Sequence, residues 1–148
     1  MKYEEIYSRF YLKETDPGLF ELSQDDAYDR MCGWMHSVAA IPHVRKCFLT
    51  LTFNDEINEL TFDLVNSIDT SSDEDFVKEV FAQGMVIGWM RPQVESVFNT
   101  SKVLGTKEEK IMLNNYKPNK ERLETLEKSL KKFIRDYGYF NNSHLGES

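Results

Sequence analysis

Hydrophobic periodicity predicts an all-α protein: a small helical bundle with a long central helix and an extended C-terminal segment. Three observations carry this. Separate stretches at about 24–40, 73–98 and 119–136 repeat apolar residues at three- and four-residue steps. The first two open on a serine followed by acids, and the third opens on Pro118, all of which are helix-start signals. The chain of 148 residues is long enough for one core and too short for two. The expected organisation is a single helical domain over residues 1–136 and a C-terminal tail over 137–148.

Taken in order, Tyr3, Ile6, Tyr7, Phe10 and Tyr11 predict a short amphipathic helix, broken by the turn residues Asp16, Pro17 and Gly18. Ser23 is placed to cap a helix whose stripe is Tyr28, Met31, Met35, Val38 and Ala39, with Asp25 and Asp26 favouring its dipole. Pro42 stops it, because proline disfavours helical geometry at Ile41. Residues 48–53, "FLTLTF", alternate as a strand does. With no evident partner strand, a helical turn or extended connector is favoured there. Thr52 or Asn54 then caps a helix over "DEINELTFDLV", with Ile57, Leu60, Phe62 and Leu64 as its apolar positions.

"NSIDTSSDED" reads as a polar linker ending in Ser71 or Ser72 as the cap of the central helix. That helix contains Gly84, Gly88 and Pro92, residues that cost helix stability. The two glycines share a face and invite close approach of another helix, and the proline predicts a kink. Its apolar run from Val80 to Met90 is eleven residues, interrupted by Gln83, whereas a bilayer span needs about twenty. A membrane segment is thereby excluded. A loop of eight to ten residues around Gly105 follows, then a short helix over 107–116, then a last helix from Pro118 ended by Gly138. Glu124–Lys128 and Glu127–Lys131 support that helix as acid-before-base pairs four apart.

Composition narrows the function. The N-terminal "MKYEEIYSRFYLKET" has acids where a secretory leader has bases, and the two cysteines make no disulfide framework, so a cytoplasmic setting is expected. Residues 1–101 hold 8 Lys and Arg against 18 Asp and Glu, whereas residues 102–148 hold 10 against 7. The acidic part repels nucleic acid rather than gripping its phosphates. The basic part is diluted by glutamates and suits an acidic surface of a neighbouring subunit, including another copy of this chain.

Cys32, His36, His43 and Cys47 follow a C-x3-H-x6-H-x3-C pattern with the donor types of a zinc site. The spacing is not a familiar finger, and the expectation is that the four do not share a site. No P-loop, G-x-S-x-G elbow, GxGxxG turn or H-E-x-x-H helix occurs, so no enzyme, metal or cofactor is expected. Trp34 and Trp89 are expected as core or interface anchors.

The acid-capped central helix "SSDEDFVKEVFAQGMVIGWMRPQV", the connection "FNTSKVLGTKEEK" and the charged helix with aromatic tail "KKFIRDYGYFNNSHL" are similar to the corresponding parts of the helical adaptor (head-completion, head–tail connector) proteins of long-tailed bacteriophages. The likeness is one of pattern over most of residues 20–140. It implies a virion protein without catalytic residues, assembled in the host cytoplasm into a ring, commonly of twelve copies, in the phage neck. The implied partners are the portal protein and a downstream neck or tail protein, with DNA passing through the ring unbound. The residues expected at the partner interface are Lys128, Lys131 and Lys132 on the last helix and Tyr139 and Phe140 in the tail. Two other readings stand beside it: a cytosolic partner-binding or regulatory protein acting through grooves at Trp34 and Trp89, and a small metal-dependent enzyme built on the Cys/His set.

Overall fold

The computed structural model describes residues 1–14, 23–101 and 106–146. Side chains are described for all of these except 97–101, 106, 108–117 and 138–146. The predicted turn at Asp16–Gly18 lies outside the described residues. The first helix, α1 (Tyr3–Lys13), buries the expected Tyr3, Ile6, Tyr7 and Phe10. At its start the Glu5 carboxylate accepts the Lys2 N–H at 2.9 Å. Helix α2 (Gln24–Ala40) is capped by Ser23, whose hydroxyl accepts the Asp26 N–H, and it buries Ala27, Met31, Met35, Val38 and Ala39. Pro42 ends it and opens a single turn, α3 (Pro42–Arg45).

The segment that follows corrects the all-helical expectation. Strands β1 (Phe48–Asn54) and β2 (Glu59–Leu64) form an antiparallel hairpin, with Leu51 opposite Phe62 and Phe53 opposite Leu60. The missing partner of "FLTLTF" is the neighbouring stretch that the sequence reading assigned to a helix. Leu60, Phe62 and Leu64 are spaced two apart, which is strand periodicity. The fourth supposed helix position, Ile57, sits in the turn and is 60% exposed. Asn58 takes the left-handed conformation at φ 53°, and Asn54 accepts the Glu56 N–H through its side chain, so the turn chemistry is local. Residues 1–3 extend the pairing along β2. The Leu60 N–H donates to the Met1 carbonyl, and the Tyr3 N–H donates to the Asn58 carbonyl. The fold is mainly helical with one small sheet.

Helix α4 (Thr70–Ser101) is the central element. Its start is set by Asp69, not by Ser71 or Ser72: the Asp69 carboxylate accepts the Ser72 N–H at 2.7 Å. Ten hydrophobic residues from Phe76 to Val94 are buried, including Val77, Val80, Phe81 and Met85. The close approach expected at the glycines is present. A Cβ at Gly84 would lie 2.6 Å from both Val38 methyls, and one at Gly88 would touch the Trp34 ring at 3.6 Å. The two glycines therefore receive two side chains of α2 that are themselves four residues apart.

Helix α5 (Thr106–Gly146) runs for 41 residues. The separate short helix, the fresh start at Pro118 and the stop at Gly138 are thus not seen. Pro118 lies inside the helix and is exposed. Gly138 stays helical, since glycine permits a left-handed turn without requiring one. The expected polar tail continues the helix to Gly146. Helices α4 and α5 pack against each other, with Phe76 stacked on Phe133 and on Tyr137 at ring separations of 5.4 and 4.0 Å. No described helix is long and apolar enough to cross a membrane.

Candidate functional site

Two features combine chemistry with accessibility. One is a polar cluster where the hairpin turn meets α2. The helical spacing of Cys32 and His36 puts both on one face, and the turn residue Asp55 closes over them. His36 Nε2 lies 2.9 and 3.2 Å from the two Asp55 oxygens. Cys32 Sγ donates to Asp55 Oδ1 at 3.8 Å, and the Tyr3 hydroxyl donates to the same oxygen at 2.6 Å. The donor atoms of Cys32, His36 and Asp55 all lie within 4.8 Å of one another. Phe53 packs on the His36 ring at 4.4 Å, so the hairpin both holds the imidazole and supplies its carboxylate.

The electrostatics follow from this arrangement. Hydrogen bonds from Tyr3 and then His36 hold the Asp55 carboxyl below its ordinary value. Burial, followed by the Asp55 charge, pushes the Cys32 thiol up. The Tyr3 hydroxyl is raised by burial and by donating to Asp55. The order of contacts is cysteine to carboxylate to imidazole. A nucleophilic triad has the imidazole between the other two. The Cys32 thiol is bonded to a carboxylate that disfavours the thiolate, and not to an imidazole, so Cys32 is not arranged as a nucleophile.

The cluster opens into a cavity of about 790 Å³ lined by Glu4, Asp25, Asp29, Asp55 and Glu59, with Lys2 as the one lining base among the described residues. His43 and Cys47 are not members of the cluster. The Cys47 thiol donates to the His43 carbonyl at 3.5 Å. His43 Nε2 is buried without a hydrogen-bond partner among the described residues. Burial first, and the Lys131 charge second, lower the His43 pKa.

The second feature is the outer face of α5. Lys128, Lys131 and Lys132 are exposed there, and none forms an ion pair with a described residue. Neighbouring charges are engaged inward: Arg91 with Glu127 at 2.8 Å, and Arg122 with the buried Glu14 at 3.5 Å. Tyr139 and Phe140 fall within α5, and their side chains lie outside the described residues. Trp34 and Trp89 are half-buried and pack edge to face at 5.4 Å.

The sequence reading missed Asp55 as a site residue, because it placed Asp55 at the start of a helix. The signal that would have found it is the two-residue spacing of Leu60, Phe62 and Leu64, which makes 55–58 a hairpin turn. Compared with protein-family models, curated proteins and solved structures, the chain matches none of them.

Proposed function

We propose that this chain is a structural virion protein: a ring-forming head–tail connector that joins a portal protein to a downstream neck or tail protein and lines the DNA channel. One observation carries the reading. The lysines of α5 are exposed to solvent on a chain whose remaining body is strongly acidic, so copies set head to tail bring opposite charges together. Helix length supports it. At about 1.5 Å per residue the 41 residues of α5 follow about 61 Å of helix, whereas a compact chain of this size is about 38 Å across. Such a helix reaches beyond its own domain. An acidic body is also compatible with passage of DNA, since it offers phosphates no grip. The rival docking surface at the two tryptophans is less favoured, because each indole already packs on the other.

Negative-stain electron microscopy of the purified protein, and of the particle that contains it, tests this. Rings are expected. They should be lost when Lys128, Lys131 and Lys132 are changed to glutamate, with the circular-dichroism spectrum unchanged. Absence of rings in both samples, or rings indifferent to the substitutions, overturns the proposal.

A further inference from the structure

We infer that Cys32, His36 and Asp55 form a binding site for one divalent transition-metal ion of the zinc class, with its remaining position open to the acidic cavity. The donor set comes first. One sulfur, one imidazole nitrogen and one carboxylate oxygen are the ligand types zinc takes, and a mixed set with a vacant position is characteristic of its open sites. Calcium and magnesium require oxygen ligands, which excludes them here.

The separations come second. Tetrahedral ligands at about 2.0–2.3 Å from zinc stand about 3.3–3.7 Å apart. The nitrogen–oxygen distances of 2.9 and 3.2 Å and the sulfur–oxygen distance of 3.8 Å fall close to those edges. The Cys32 sulfur and the His36 nitrogen are within 4.8 Å of each other, so shifts of up to about 1 Å in side chains that are at least partly exposed bring the three atoms onto a common ion. Third, the surroundings favour a cation, because among the described residues four more carboxylates and one lysine line the adjoining cavity. Fourth, an outer shell is in place: Tyr3 donates to the carboxylate and Phe53 packs on the imidazole.

Binding replaces the Cys32 S–H···Asp55 hydrogen bond by a metal–thiolate bond and releases that thiol proton to solvent. The ligands come from α2 and from the hairpin turn, so the ion ties the hairpin to the helix. The inference is independent of the connector reading, since it stands on one chain and predicts no oligomer.

The test is titration of the full chain, reduced and metal-free, with cobalt(II) and then zinc(II). One cobalt per chain is expected, with a near-ultraviolet thiolate-to-cobalt absorption that zinc displaces. Cys32→Ser should abolish the absorption, and His36→Gln should remove or greatly weaken it, which keeps the test valid if either variant folds poorly. Cys47→Ser should leave it unchanged. Tyr3→Phe should weaken binding about 10-fold, as loss of an outer-shell partner does. No thiolate-to-cobalt absorption in the wild-type protein, or one that survives Cys32→Ser or disappears in Cys47→Ser, overturns the assignment.

Discussion

The two long helices lie side by side and are built on opposite principles. Helix α4 packs against α1, α2, the hairpin and α5, and it buries ten hydrophobic residues from Phe76 to Val94. Among the described side chains of α5, only Leu123 and Leu130 are buried, with Leu126, Phe133, Ile134 and Tyr137 half-buried around them. The rest of that face is charged. Packing specifies α4, whereas α5 is held by one narrow stripe and a few polar ties. The described part of α5 thus leaves most of its residues exposed.

The contrast is sharpest for large core side chains. Phe81 is fully buried and packs against Phe48 and Phe53 of the hairpin. Phe81→Ala is expected to cost about 3–5 kcal/mol. Leu126→Ala, on the half-buried stripe of α5, should cost about 1–2 kcal/mol, in proportion to the apolar area it covers. Urea unfolding of both variants checks this, and equal losses would break the comparison.

Close packing of α4 makes a second test. Gly84→Ala improves helix propensity by about 1 kcal/mol but drives a methyl into Val38, and the clash is expected to win with a net loss of about 1–3 kcal/mol. Gly33 on the exposed side of α2 has nothing within 4 Å of a built Cβ. Gly33→Ala should therefore stabilise by up to about 1 kcal/mol. Opposite signs for the same substitution, read as shifts in thermal midpoint, identify the α2–α4 contact as the cause.

Asp73 ties the two long helices together. It is buried, and its carboxylate accepts from the Ile68 N–H at 2.9 Å and from the Ser67 and Tyr137 hydroxyls. Burial alone would raise its pKa, but these three donors outweigh it and hold the carboxyl below the ordinary value. A carboxyl depressed in the folded state contributes stability above its unfolded pKa of about 4. That contribution is lost as pH falls through the folded value. Asp73→Asn is expected to cost about 1–3 kcal/mol at pH 7. The gap to wild type should shrink on acidification towards pH 2. A gap independent of pH would show that the lost acceptor oxygen, not the charge, matters there.

These sites also mark what was legible in the chain. Ser23, the stripe of α2, the glycine approach and the central position of α4 follow from local rules of capping and periodicity. The hairpin did not, because two short alternating runs identify each other only as a pair. Asp55 was lost with it, so Cys32 and His36 were weighed against His43 and Cys47 instead of against their actual neighbour. Pro118 is a local start signal and Gly138 a local stop signal, yet α5 runs through both. Proline weakens a helix without forbidding one, and the Phe76, Phe133 and Tyr137 stack, with the Asp73 tie, anchors the turns just before Gly138.

The smallest expected effect on the fold concerns the lysines of α5. Lys128, Lys131 and Lys132 are exposed and lie outside the ties to α4, so their change to glutamate should alter stability by no more than about 0.5 kcal/mol. One local response is expected inside the domain. Lys131 helps to keep His43 neutral, so its reversal should raise the His43 pKa while burial still holds it down. Proton NMR titration of the imidazole reads this directly. Self-association, by contrast, should be lost in the same variant. In the wild-type protein it should fall with added salt, because such contacts are screened over about 8–10 Å at physiological ionic strength. A variant that unfolds would place these lysines in the architecture, and α5 would then be specified by its charges as strictly as α4 is by its packing.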